Sequence, residues 1–289
     1  MKRSKVLSIL LAVMIVLSSL SCLSVVSFAA NVLESGYTPD SVGAEDPARK
    51  VIAWEFYDDG VLYIYDDTGN ISWADFSEAL VKVVVKPKSE DVNCGAIQIP
   101  EYAFYGCDKL ATVDLSGGVS SLQYIGKYAF SGCSALTEIV LPYGITNIGE
   151  YAFYGCSALK NATLSVMLEE IGKNVFKGCT SLETVEVPLG VKTIGYGMFE
   201  DCSALTTIAL PDSVQIIEAH AFEDCVSLSE INVPDSVEEI GAYAYKNCGA
   251  VTKAYIGHNA QTIGEYAFNG CAGLTSVEIA SAVKEFSEG

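Results

Sequence analysis

Eight of the ten cysteines set the period of this chain. Cys107 and Cys133 stand 26 residues apart, and Cys156, Cys179, Cys202, Cys225, Cys248 and Cys271 follow at steps of 23. Thiols repeated in this way could cross-link or bind zinc, and the spacing argues against both. Side chains at one phase of a stacked parallel array recur about every 4.7–4.9 Å pointing the same way, whereas a disulfide needs Cβ atoms about 3.8 Å apart and converging. Zinc needs ligands brought together on one ion, yet the chain has no Cys-x-x-Cys pair and supplies one thiol per repeat. The expected role is a ladder of buried thiols acting as small hydrophobes. Cys94 lies off the ladder, and a Cys94–Cys107 bridge stays open.

Other reactive side chains are sparse or badly placed. His220 fills the slot held by Tyr128, Tyr151, Tyr243 and Tyr266, just before Ala-Phe, and reads as structural. His258, the other histidine, falls in the turn slot of Asp212 and Asp235. The two lie in different repeats with no serine or cysteine nucleophile evidently beside either, so nucleophilic catalysis has no support. A glycosidase needs two carboxyls about 5–10 Å apart in a cleft, one with a raised pKa. Asp114, Glu138, Glu186, Glu230 and Glu278 instead fall where an open sheet would keep them solvated and ionised. Asp66-Asp67-Thr68-Gly69-Asn70 hints at calcium, but Ile71 stands where such a loop wants glycine, and a tight turn is the simpler account. No metal or other cofactor is expected.

The elements that position these residues can be read from one repeat. In Cys133 to Phe153, Leu136, Ile139 and Leu141 are apolar, Pro142 ends the run, Ile145 and Ile148 are apolar again, and Gly149 permits a turn before Tyr151-Ala152-Phe153. Ile139 and Leu141 have strand spacing, so they point inward while Glu138 and Val140 point outward. The phase recurs as Val185/Val187, Ile208/Leu210, Ile231/Val233 and Val277/Ile279. One short strand per repeat would stack into a parallel sheet, with Ala-Phe-x-x-Cys as a 3₁₀ or single helical turn. A fixed period of this length is the mark of a solenoid, whose units bury their apolar faces only against their neighbours.

The pattern Cys-x-x-Leu-x-x-Ile-x-Leu-Pro-x-x-Ile-x-x-Ile-Gly-x-x-Ala-Phe resembles the leucine-rich repeats of the BspA-like surface proteins of bacteria, from about Ala96 to the C-terminus. The resemblance implies a right-handed leucine-rich-repeat solenoid with a parallel sheet and a β-rich N-terminal cap. It also implies attachment to host matrix proteins or other cells. The organisation expected is a signal peptide at 1–29, a flexible lead-in at 30–50, the cap at 51–95 and about eight 23-residue repeats over 96–289. Lys2, Arg3 and Lys5, the apolar Val6 to Leu17 and the Ser27-Phe28-Ala29 cleavage site carry the first of these. An uncleaved anchor over Val6 to Val26 and a lipoprotein signal at Cys22 are the alternatives. The strand Val61 to Tyr65, Val81 to Val85 and the only tryptophans, Trp54 and Trp73, carry the cap.

The chain has 17 Lys and Arg against 36 Asp and Glu, a formal charge of −19, and losing a basic leader deepens the imbalance. Such a field repels phosphate backbones and anionic lipid, so no nucleic acid partner and no membrane insertion after signal removal are expected. The repeats contain no arginine. The remaining functional surface is the outward sheet face, mostly small or polar. Lys253 and Tyr255 depart from that rule in one unit, flanked by Glu230 and Asn232 on one strand and by Ser276 and Glu278 on the other. An exposed tyrosine beside a lysine is a candidate anchor, with drift near the end of the stack as the competing account. The expected function is secreted or cell-surface binding of a protein or glycan on a host or neighbouring cell. A polysaccharide-acting enzyme or accessory protein, or a structural spacer of roughly 40 Å, are the alternatives.

Overall fold

Consecutive repeats are joined edge to edge along two strand ladders, and the computed structural model is a parallel β-solenoid of about eight turns. It describes residues 32–37, 52–57, 60–64, 73, 77, 79–85, 97–116, 122–280, 283 and 285–286, and it separates Met1–Asn31 from Val32–Gly289. The expected signal peptide, most of the lead-in, the Asp66–Asn70 turn, Cys94 and residues 117–121 lie outside the described residues. Among the described residues no helix is long and apolar enough to cross a membrane.

The first ladder holds the strands expected from the apolar pattern. Glu138–Val140, Asn161–Thr163, Thr184–Glu186 and Thr207–Ala209 pair in parallel, as do Glu230–Val233, Lys253–Ile256 and Ser276–Ile279. The 23-residue step sets the register, so Glu138 faces Asn161 and Glu230 faces Lys253. Ile139, Ala162, Val185 and Ile231 point inward and are buried, and their neighbours are exposed.

A second ladder adds to the one strand per repeat read from the sequence. Leu122–Ile125, Asn147–Ile148 and Glu170–Ile171 pair in parallel, and so do Thr193–Ile194, Ile216–Ile217, Glu239–Ile240 and Thr262–Ile263. The glycines at 149 and 172, which follow two of these strands, are set by close approach as well as by turning. A Cβ on Gly149 would lie 2.6 Å from the Lys127 nitrogen, and one on Gly172 would lie 2.4 Å from that of Glu150. Only hydrogen fits between backbones at that distance.

The Tyr-Ala-Phe-x-x-Cys segment is a chain of turns rather than the 3₁₀ or helical turn expected. Its N–H groups alternate in direction. Tyr154 and Cys156 donate within the turn to Tyr151 and Phe153, the i→i+3 bonds of a 3₁₀ helix. Tyr151, Phe153 and Gly155 donate along the stack to Lys173, Val175 and Lys177 at 2.9, 3.0 and 2.8 Å. The alternation requires left-handed backbone at Tyr151 (φ 57) and Gly155 (φ 68), which stops a helix from propagating. Asp201, Asp224 and Asn247 replace glycine at the second of these positions, the side chains best tolerated there.

Inside, the repeats align as columns. Phe104, Phe130, Phe153, Phe176, Phe199, Phe222, Tyr245 and Phe268 stack with ring centroids 5.0–5.7 Å apart. Each buried ring or branched aliphatic stabilises the stack by about 1.5–3 kcal/mol, but only when the adjoining turn is in place. Trp73 starts the column, stacked 5.0 Å from Phe104 with its backbone N–H bonded to the Ala103 carbonyl.

The N-terminal end is closed by Val32–Tyr37, Ile52–Tyr57 and Val61–Ile64, an antiparallel set whose last strand continues in parallel into Lys82–Val85 and Thr112–Asp114. The strand Val32–Tyr37 falls in the stretch read from composition as a lead-in. Its partner Ile52–Tyr57 supplies the hydrogen bonds, a long-range cause that local polarity does not signal.

Candidate binding surfaces

The structure brings the five residues singled out in the sequence onto three adjacent strands. Glu230 pairs with Lys253, and Asn232 with Tyr255, which in turn pairs with Glu278. Four are exposed. Tyr255 is half-buried, and its hydroxyl lies 3.4 Å from Asp235 Oδ1. That oxygen also accepts the backbone N–H of His258 at 2.9 Å and faces its Nδ1 at 2.9 Å. The His258 bonds hold the Asp235 carboxyl below its ordinary value, while desolvation and then the Asp235 charge push the Tyr255 phenol up. Asp235 and His258, which the sequence places in the turn slot, therefore join this patch.

Groups that could have catalysed a reaction are engaged elsewhere. Each ladder thiol from Cys133 to Cys248 points at the carbonyl of the aromatic residue one turn back, at 3.2–3.3 Å. Burial pushes the thiols from Cys107 to Cys225 up, Cys107 and Cys179 to about 12, which keeps them protonated and unreactive. These cysteines are free, as the spacing requires. His220 stacks 5.0 Å from Tyr243, and its Nδ1 meets Glu223. Lys246 Nζ bonds the other Glu223 oxygen at 2.7 Å. Burial opposes the Glu223 charge, but these two bonds outweigh it and lower its pKa. Among the described residues no three His, Cys, Asp or Glu side chains converge as metal ligands.

A second surface was not found from sequence. The outward side of the second ladder forms an open concavity of about 990 Å³, lined in part by Tyr124, Asn147, Glu169, Glu170 and Lys192. Along one flank Tyr102, Tyr128 and Tyr151 stack at 5.0 and 4.7 Å. The sequence grouped Tyr128 and Tyr151 with His220 as one slot; what it lacked was the second ladder, which sets where that slot faces.

Residues 97–225 and 192–289 match the family model described as BspA type Leucine rich repeat region, in six copies. Among solved structures, the leucine-rich repeat protein of T. pallidum is similar at 27% identity over 84% of this chain and 87% of that one, with a TM-score of 0.51. The pneumococcal vaccine antigen PcpA matches at 19% identity over 81% and 84%, with a TM-score of 0.37. A leucine-rich cell surface protein from Faecalibacterium prausnitzii A2-165 matches at 19% identity over 81% and 97%, with a TM-score of 0.39. No curated protein matches the chain.

Proposed function

This chain belongs to the BspA-type leucine-rich repeat family, and from that membership we propose that it is an exported, non-enzymatic binding protein that presents its stacked surface to a macromolecular partner. Leucine-rich repeat proteins are in general binding scaffolds of this kind. The observation that carries the reading is the first ladder. Its outward positions, from Thr112 and Glu138 to Lys253 and Ser276, are exposed at every turn, on a backbone held in register by the columns behind it. Side chains there can change without disturbing the core, which is what a recognition surface on a fixed scaffold requires.

The partner is a protein or glycan on a host or neighbouring cell, and Lys253, Tyr255, Glu230, Asn232 and Glu278 are the proposed contacts on this face. Export rests on the basic and apolar N-terminal stretch and on Ser27-Phe28-Ala29. The protonated thiols and the engaged His220 support a non-enzymatic role. Expression in a secreting bacterium, followed by mass spectrometry of the exported N-terminus, tests the first part. A binding screen of that exported protein against matrix proteins and glycans, with a glycan-hydrolysis assay alongside, tests the second. Hydrolysis, or retention of the chain inside the cell, would overturn the reading.

A further inference from the structure

The turn between the two ladders changes character half way along the stack. Ten residues after the ladder cysteine, three consecutive repeats carry Tyr143, Val166 and Leu189, exposed by 60%, 70% and 80%, with Met167 beside Val166 at 42%. The next three repeats carry Asp212, Asp235 and His258 at the same place. The local backbone is alike in both halves. Ile145, Leu168 and Val191 donate to Pro142, Ser165 and Pro188 at 3.1 Å each, and Val214 and Val237 donate to Pro211 and Pro234 at 3.0 and 3.1 Å. The fold therefore accepts a charged side chain in this slot, and three large apolar ones in succession answer to something outside the chain. A contiguous exposed apolar patch of this kind marks a contact surface.

The ridge borders the concavity of the second ladder. Leu189 is followed directly by Gly190, and Met167 stands two residues before Glu169; Gly190 and Lys192, like Glu169 and Glu170, line the concavity. On the opposite flank Glu101, Lys127 and Glu150, also in the lining, each precede a tyrosine of the stacked column. Four glutamates face two lysines in this lining. Lys127 is already paired with Glu150 at 2.6 Å, and Glu101 and Glu169 have no cationic partner among the described residues. We infer that this surface docks a basic, extended segment of a partner protein, with apolar side chains on the Tyr143–Val166–Leu189 ridge and cationic ones over the glutamates.

The inference rests on the binding-protein reading and names a different face and a partner chemistry for it. Charge complementarity selects a basic occupant. A polypeptide fits better than a sugar, because a glycan stacks on open ring faces, and the faces of Tyr128 are covered by Tyr102 and Tyr151. Nucleic acid is repelled by the glutamates.

A random-peptide display library selected on the full chain tests the proposal, with cello- and chito-oligosaccharides assayed beside it. The expected peptides combine Lys or Arg with large apolar residues and bind less tightly as salt rises. Val166→Asp with Leu189→Asp, which copies the side chain that Asp212 and Asp235 place in this slot, is expected to weaken them at least about tenfold while circular dichroism stays unchanged. Glu169→Lys is a second variant, weakening the same peptides without altering the ridge. Enrichment of neutral or acidic peptides, indifference to these variants, or oligosaccharide binding at the ridge in place of peptides would each overturn the inference. Peptides that respond only to Lys253→Glu and Tyr255→Ala would overturn it and leave the binding-protein reading standing. If no peptide, matrix protein or glycan binds anywhere, both fall.

Discussion

The Sγ of Cys179 donates to the carbonyl of Phe153 at 3.2 Å, and the same oxygen accepts the backbone N–H of Cys156 from its own turn at 3.2 Å. One carbonyl thus ties two turns together, and the bond repeats along the whole column. Alanine lacks the sulfur, so it would leave a small cavity and the carbonyl with one donor. Cys179→Ala is expected to lower stability by about 1–2 kcal/mol, measured by urea denaturation under reducing conditions.

The same thiols make the protein sensitive to alkali. An unfolded thiol ionises near 9, whereas Cys107 and Cys179 in the fold ionise near 12. The folded pKa is the higher one, so this stability is complete below about pH 9 and is lost as the pH climbs from there towards 12. Each such thiol accounts for a fall of up to about 1.4 kcal/mol per pH unit in that window. Urea midpoints should hold up to about pH 9 and drop between about pH 9 and pH 11, less steeply in Cys179→Ala. A flat profile would contradict the buried ladder.

Two glycines separate close approach from backbone conformation. At Gly155 (φ 68) an added Cβ meets nothing within 4 Å, so Gly155→Ala carries only the left-handed backbone cost of about 1–2 kcal/mol. At Gly172 the added atom would sit 2.4 Å from the Glu150 nitrogen and 2.7 Å from its Cα, both backbone atoms that cannot turn aside. Gly172→Ala is expected to destabilise more than Gly155→Ala and to shift the neighbouring turns. Thermal unfolding of the two variants side by side decides this; the reverse order would refute the packing assigned to the second ladder.

In the buried aromatic column, Phe176 lies between Phe153 and Phe199 at 5.5 and 5.7 Å. Phe176→Ala opens the middle of the stack and should cost about 3–5 kcal/mol. Phe176→Tyr should be far milder, since Tyr245 already occupies an equivalent place between Phe222 and Phe268. Equilibrium denaturation of both variants gives the comparison.

On the first ladder, Lys253→Glu together with Tyr255→Ala should reduce affinity for a partner of that face at least about tenfold. Lys253 is exposed and Tyr255 half-buried on the outer face, outside the buried columns, so the melting temperature should fall less than for Phe176→Ala. Unchanged binding of an identified ligand of the exported protein would remove these residues from the contact.

What could be read from the sequence was whatever repeats as a residue type. The cysteine interval gave the stacking and the unpaired thiols, and the Ile139/Leu141 alternation gave the first ladder and its exposed stripes. The second ladder was hidden because Ile145-x-x-Ile148 has no strand period. Asn147 and Ile148 are extended because the turns above and below offer them hydrogen bonds, a property of the assembled stack. The left-handed backbone at Tyr151 was hidden for a related reason, since tyrosine does not announce a positive φ. For the binding surfaces, Lys253 and Tyr255 stood out as departures from a polar stripe. Tyr143, Val166 and Leu189 did not, because a lone apolar residue in a turn draws no notice until its equivalents at Asp212 and Asp235 are set beside it.

Because every level of this molecule offers the next one the same aromatic disc and the same thiol donor, levels are exchangeable parts. A deletion of 23 residues from Cys179 to Asp201 would join Gly178 to Cys202, set Phe222 next to Phe176 in the aromatic column, and leave a shorter protein with both ends intact. Length can thus drift by whole units while the fold persists, and the side chains on the outside are free to follow whatever they meet.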